Sequence, residues 1–246
     1  METVFDLQGK RALVTGSTQG IGYAAARLLS ARGASVVVHG GTSMEKCLKA
    51  AAGMHGEVRC ALADLSRDGG AEELYRQAGD VDILVLNASI QVRKPWQEIT
   101  PEEFDRQMTT NFKSALRLMQ LFAPAMREKG WGRIVTVGSV QQTKPHKDMA
   151  VYAASKCALM SLVENVAKQL APFGVTVNNV NPGVFATPRN AEALADPVYH
   201  DKVMAGIPMG RAGEPEECAF PILLLASEEG SYITGANLDV DGGMRL

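Results

Sequence analysis

Seven short runs of β-branched and aliphatic residues punctuate the chain: RALVT from 11, SVVVH from 35, EVRCAL from 57, DILVLN from 82, GRIVTVG from 132, VTVNNVN from 175 and NLDV from 237. Several are apolar at successive positions, which is the pattern of strands buried on both faces. Between most of them the apolar positions recur with helical period. Such strands alternating with helices predict an α/β chain with a doubly wound parallel sheet of about seven strands and helices on both faces. From about 184 to 232 helical material and several prolines break the alternation. We expect this stretch to form a small helical substrate lobe over the carboxyl edge of the sheet, where such folds bind ligands. No internal repeat, low-complexity tract or linker interrupts the chain, so residues 1–246 are read as one domain.

Helix starts are legible. In TPEEF, Thr100 is placed to cap, Pro101 to take the first helical position and Glu103 to close a capping box, and TSME from 42 repeats the box without proline. The pairs Glu102/Glu103 and Glu216/Glu217 are then helix-start residues favoured by the macrodipole, not catalytic acid pairs. Pro221 falls inside a helical pattern, where it should kink or divide the helix.

Composition narrows the picture by exclusion. A net charge of -2 and a sequence pI of 6.1 give no basic field for a nucleic-acid backbone or an anionic membrane surface. No stretch reaches the roughly 20 apolar residues of a membrane span, and the N-terminus lacks the pattern of a secretory leader. A cytoplasmic protein is expected. Cys47, Cys60, Cys157 and Cys218 form no CxxC pair, and His39, His55, His146 and His200 are dispersed, so no protein metal site is expected.

Two stretches carry candidate chemistry. LVTGSTQGIG follows the first strand and opens the first helix, with glycines at 16, 20 and 22. Glycines let backbone approach a ligand closely, and the helix start presents free N–H groups and a positive dipole end, which together suit the pyrophosphate of a dinucleotide. A plain strand-to-helix turn would use similar residues. In VYAASK, Tyr152 and Lys156 stand four residues apart, on one helical face. An ordinary tyrosine and a solvated lysine would fit the same spacing.

The motifs in combination go further. TGSTQGIG at 15–22, NAS at 87–89, Asn111, Ser139, YAASK at 152–156, NPGVFAT at 181–187 and DVDGGM at 239–244 occur in the order and approximate spacing of the short-chain dehydrogenase/reductase family, which the whole chain resembles. The resemblance implies a single-domain Rossmann-like fold and hydride transfer between a nicotinamide and a carbonyl or secondary alcohol. It implies a catalytic set of Asn111, Ser139, Tyr152 and Lys156. Tyr152 would be the general acid or base, and a nearby cation lowers the usual phenol pKa of about 10 toward working pH. Lys156 would supply that cation and hold the nicotinamide ribose, Ser139 would orient the substrate oxygen, and Asn111 would bend its helix and position a relay water. The cofactor set would comprise Gly16, Ser17, Thr18, Gln19, Gly20, Ile21, Gly22, His39, Asp64, Leu65, Asn87, Ala88, Ser89, Pro182, Gly183, Val184 and Thr187, besides Tyr152 and Lys156. Asp64 would accept from the adenine amino group. The family usually has N-N-A-G where this chain has LNAS, so Leu86 and Ser89 depart from the pattern and a serine side chain must fit beside the cofactor.

The second strand ends in His39, Gly40 and Gly41, with no carboxylate to hold a 2′-hydroxyl. That favours NADP, with NAD as the alternative; His39, Thr42 and Ser43 are candidate donors to a 2′-phosphate, and His39 packing on adenine is the other reading. Around the expected mouth stand Arg93, Lys94, Gln141, Lys144, His146 and Arg189, with Phe185 beside them. We take Arg93, Ser139, Gln141, Tyr152 and Phe185 as substrate-binding. The wording around Arg93 resembles gluconate and other sugar-acid dehydrogenases. The alternatives are a 3-oxoacyl thioester reductase and, in another class, a non-catalytic dinucleotide sensor, which retention of Tyr152, Lys156 and Ser139 argues against. The resemblance implies a homo-oligomer, a dimer or tetramer assembled through the helices near 101–128 and 150–172.

Overall fold

The computed structural model describes residues 4–246. Seven parallel strands, β1 (Arg11–Val14), β2 (Ser35–Gly40), β3 (Val58–Leu62), β4 (Ile83–Leu86), β5 (Gly132–Val137), β6 (Val175–Pro182) and β7 (Asn237–Val240), lie in the order β3-β2-β1-β4-β5-β6-β7. All seven expected runs form strands. The order reverses between β1 and β4, which pair through Ala12 with Ile83 and Val14 with Val85. Chains leaving the carboxyl ends of these two strands therefore diverge and leave a crevice between them.

Successive strand residues feed opposite cores, as the pleat requires. Ala12, Val14, Val36, Val38, Val85 and Val135 face α1 (Gly20–Ala31) and α9 (Pro215–Ala226), while Leu13, Val37, Leu84 and Ile134 face the other side. There they meet α3 (Gly70–Ala78), α5 (Ser114–Lys129) and α6 (Ala150–Leu170) through Leu74, Phe122 and Val163. Phe122 meets Tyr75 edge-on, with centroids 5.0 Å apart.

α2 (Met44–Ala51) and α4 (Pro101–Met108) complete the sequence before α5. Thr100 and Glu103 form the expected box at α4. At α2 the cap is Ser43 and not Thr42, because Ser43 Oγ accepts the Lys46 N–H. The helix thus starts one residue later, with Lys46 in the place where the box would need Glu45.

The segment from 184 to 232 divides. α7 (Pro188–Ala195) and α8 (Pro197–Ala205) stand by the loop that follows β4, through Arg189 to Ser89 and Arg93 to Tyr199. α9 instead packs beside α1 in the helical layer on one face of the sheet, burying Cys218, Ala219, Ile222, Leu223 and Leu225. Pro221 sits within α9 and does not divide it. Pro221 is half-buried in a helix anchored by apolar residues that all join one core cluster.

Candidate active site

The crevice between β1 and β4 is lined by the glycine loop. Gly16 has φ +65°, a left-handed conformation suited to glycine. A Cβ on Gly22 would lie 2.4 Å from Asn87 Nδ2 and 2.5 Å from Gly16 O, so this helix start admits no side chain. Thr15 Oγ1 accepts the N–H groups of both Asn87 and Ala88 at 2.9 Å, and Asn87 Nδ2 donates to Thr15 O at 2.9 Å. The loops after β1 and β4 are thereby locked to each other. α1 has Gln19 at its N-cap position with no side-chain cap and no acidic residue in its first turn, so its leading N–H groups are left without a competing anion.

His39 supports this loop from below. Gly16 N–H donates to His39 Nδ1 at 3.1 Å, which places the ring proton on Nε2, 2.9 Å from Ala63 O. Burial lowers the pKa of His39, in keeping with a neutral ring. Both ring nitrogens are engaged and the residue is 2% exposed. The expectation that His39 donates to a phosphate is therefore corrected: it has no donor left to give.

The four expected catalytic residues come together at the carboxyl ends of β4 and β5. Asn111 lies in a π-helical turn, Thr109–Lys113, between α4 and α5. Its amide grips the main chain of Ile90 twice, accepting from N–H and donating to O at 2.9 Å each, and Nδ2 also donates to Ser155 Oγ at 3.0 Å. Ser155 in turn donates to Tyr152 O at 2.7 Å. The wider π turn thus ties the loop after β4 to the first turns of α6. Ser139 caps the short helix Val140–Gln142 by accepting the Gln141 N–H at 3.2 Å, which leaves its own hydroxyl proton for another acceptor. Tyr152 is 5% exposed.

Lys156 is buried, with Nζ donating to Val137 O at 2.7 Å and lying 5.7 Å from the centre of the Tyr152 ring. Burial, and after it the positive charge of Arg189, lowers its pKa to about 7. Beside it a cavity of about 10 Å³, room for one water, is lined by Thr15, Thr110, Asn111 and Lys156 among others. The Thr110 hydroxyl that borders it has no partner among the described residues. A larger cavity of about 900 Å³ lies at the opposite, amino end of the sheet, among Arg11, Ser35, Glu57 and Asp82.

The mouth differs from expectation. Phe185 turns inward, is 4% exposed and packs on Gly213, so it belongs to the core and not to the substrate surface. Lys94 is paired with Glu103 at 2.7 Å, and Lys144 donates to Met244 O at 2.5 Å. Gln141 Oε1 accepts the His146 N–H, so Gln141 shapes the loop with its carbonyl and keeps its NH₂ group for a ligand. Arg93 lies over the Tyr199 ring at 4.8 Å and 3.3 Å from His146 Nε2. His146 Nδ1 accepts the Asp148 N–H, so in the neutral ring Nε2 bears the proton and the Arg93 contact is an approach of two donors. Burial and Arg93 both lower the His146 pKa. Arg189 donates to Ser89 Oγ at 3.0 Å and to Ser89 O at 2.7 Å. Both residues are visible in the sequence, but their pairing is not.

A family model described as enoyl-(acyl carrier protein) reductase, adh_short_C2, matches residues 16–245. The chain is 38% identical to the 3-oxoacyl-[acyl-carrier-protein] reductase FabG of Escherichia coli K12, over 98% of this chain and 99% of that protein. The chain belongs to the short-chain dehydrogenase/reductase family. Among solved structures, a 3-oxoacyl (acyl-carrier-protein) reductase from Agrobacterium tumefaciens C58 with NADP bound has a TM-score of 0.94 and 37% identity, covering 99% of this chain and 97% of that one. A protein from Beutenbergia cavernae, described as an NAD(P)-dependent gluconate 5-dehydrogenase with NADP at low occupancy, has a TM-score of 0.92 and 36% identity, covering 98% and 99%.

As a short-chain dehydrogenase/reductase the chain is an oxidoreductase acting on CH–OH groups. Its crevice fits a dinucleotide on the grounds of its own geometry: the Gly22 approach, the uncapped start of α1 and the absence of a carboxylate from its first turn. Toward the adenine end, Asp64 is ionised, its pKa lowered first by the Ser66 hydroxyl. One oxygen accepts from Ser66 and the other lies 3.1 Å from Arg67 Nε, so any bond to adenine would use a remaining lone pair. Leu65 is buried beside it. Thr187 faces the glycine loop, with its Cγ2 3.4 Å from where a Gly20 Cβ would stand. Pro182 ends β6, and Gly183 packs against Asp241, where a Cβ would come within 2.8 Å. The segment through Val184 to Thr187 thereby stands opposite the glycine loop.

Proposed function

We propose that the chain is an NADP-dependent oxidoreductase that interconverts a carbonyl and a secondary alcohol on a sugar acid or polyol. The observation that carries this reading is the burial of Tyr152 and Lys156 together on the first turns of α6, which Asn111 ties to the loop after β4 through Ser155. Bound NADP supplies or accepts the hydride. In reduction, the Tyr152 hydroxyl gives its proton to the carbonyl oxygen, and Ser139 donates to the same oxygen, stabilising charge as it develops. The Lys156 ammonium favours the phenolate left behind. Asn111 holds the loop after β4 and the start of α6 in register, and the cavity next to Lys156 is sized for the water of a proton relay.

NADP is supported by the end of β2, where Gly40 and Gly41 stand in place of a carboxylate, and by the NADP found in the two structural relatives. The sugar acid is supported by Arg93 and Arg189, two cations at the mouth without a carboxylate partner among the described residues. A second reading, reduction of a 3-oxoacyl thioester, is supported by the identity to FabG. No helix of the described residues is long and apolar enough to cross a membrane. We propose a cytoplasmic homo-oligomer, dimer or tetramer, that uses neither nucleic acid nor membrane as partner.

The test is a panel of sugar acids, polyols and a 3-oxoacyl thioester, each with NAD(H) and NADP(H), followed by nicotinamide absorbance. Turnover of gluconate-like acids supports the first reading, and turnover of the thioester alone replaces it with the second. Tyr152→Phe should cut kcat by about 100- to 10,000-fold while NADPH binding, followed by its fluorescence, persists. NADPH binding by the wild type with no turnover across the panel would make the chain a sensor.

A further inference from the structure

Arg189 occupies the first turn of α7, the positive end of the helix dipole, where no acidic residue offsets it. Stability alone gives no reason for a cation there. Its guanidinium reaches across to a residue 100 positions earlier, and both acceptors on Ser89, the hydroxyl and the main-chain oxygen, are neutral. Among the described residues, Lys94 on the loop after β4 has found a carboxylate in Glu103, whereas Arg189, like Arg93, has none within ion-pair distance. The two bonds to Ser89 fix the plane of the fork and leave its remaining N–H donors unused. Arg189 is exposed, so the two bonds hold a solvent-accessible fork at the mouth.

One of the two bonds depends on a departure from the family pattern, because the glycine usual at position 89 has a main-chain oxygen but no hydroxyl to offer. Its location is the reacting end of the crevice. Ser89 precedes Ile90, which Asn111 clamps on both its N–H and its O, and the charge of Arg189 is felt at Lys156. An anion bound by the fork would satisfy the unused donors, the helix dipole and the like charges of Arg189 and Lys156 together.

We propose that Arg189, held in place by Ser89, binds the free carboxylate of the substrate and so selects oxo and hydroxy acids over neutral carbonyls and thioesters. The proposal rests on the reading of the chain as an oxidoreductase of sugar acids, and it names the residue that recognises the acid. A thioester offers no free carboxylate at its carbonyl end, so Arg189 also separates the two substrate readings.

The experiment compares wild type, Arg189→Met and Arg189→Lys on gluconate and on gluconamide, which has the same skeleton without the charge. The ratio of kcat/KM for acid over amide should fall by about 10- to 100-fold in Arg189→Met, mainly through KM. Arg189→Lys should recover part of it, since it restores charge without the fork. NADPH affinity is measured by fluorescence on the same three proteins. A loss of NADPH affinity as large as the loss on the acid would assign the guanidinium to a cofactor phosphate and overturn the proposal. An unchanged acid-to-amide ratio would overturn it while leaving the sugar-acid reading standing. Failure of the wild type to turn over gluconate or any other acid of the panel would end both.

Discussion

The Lys156 Nζ donates to the main-chain oxygen of Val137 at 2.7 Å, so the cation beside Tyr152 is tethered to the end of β5 and not to any carboxylate among the described residues. A neutral carbonyl dipole holds the ammonium in position without cancelling its charge. The cost is desolvation, and it appears in the lowered pKa of about 7.

That cost has a pH signature. The folded protein releases the Lys156 proton near pH 7, whereas the unfolded chain keeps it to about 10.4. Between these values the unfolded state binds more protons, so stability rises with pH across that window, and below pH 7 the full penalty is in place. In the ligand-free protein the contribution is about 1.4 kcal/mol per pH unit at most. Urea midpoints of wild type and Lys156→Met between pH 7 and 9 check it: the rise seen in wild type should be smaller in the variant by that slope. Parallel curves would mean that Lys156 is not desolvated as its surroundings imply.

Asn111 makes a prediction about local order. Replacing it with Ala leaves the Ile90 N–H without its acceptor and breaks the link to Ser155. We expect a loss of about 1–3 kcal/mol in denaturant unfolding, together with faster hydrogen exchange at the Ile90 amide and a lower kcat. An Ile90 amide that stays as protected as in wild type would show that the π turn holds the loop without the side chain.

These two residues mark what was legible in the sequence. Tyr152, Lys156, Ser139 and Asn111 are proposed from motifs that are local, and the seven strands are legible from β-branched and aliphatic runs, continuous where sheet burial is on both faces as in β1, β2 and β4. The π turn at Thr109–Lys113 was not found, since TTNFK has no feature that separates it from α-helix; the wider turn is seen only with Ile90 and Ser155 in place. Phe185 and His39 differ from expectation, and Lys94 and Lys144 are occupied at the mouth, for one reason. Each is defined by a partner remote in sequence or outside its own motif: Gly213, Gly16 with Ala63, Glu103 and Met244. Likewise α9 read as lobe because proline and helical period do not reveal that its apolar residues lie against α1.

Gly41 tests the choice of cofactor. It follows β2, its φ is not in the left-handed region, and a Cβ built on it meets nothing within 4 Å. Side chains are therefore accommodated there without strain, unlike at Gly40, where a Cβ would lie 2.6 Å from Cys47 Sγ. A carboxylate in this place accepts from a 2′-hydroxyl and repels a 2′-phosphate, and a guanidinium does the reverse. Gly41→Asp should weaken NADPH relative to NADH by about 10- to 100-fold, and Gly41→Arg should shift the ratio the other way, both read from fluorescence titrations. The opposite signs matter, because a general disturbance of the loop would weaken both nucleotides in both variants. If neither substitution moves the ratio, the 2′ position is read elsewhere, and the hydroxyls of Thr42 and Ser43 become the groups to replace next.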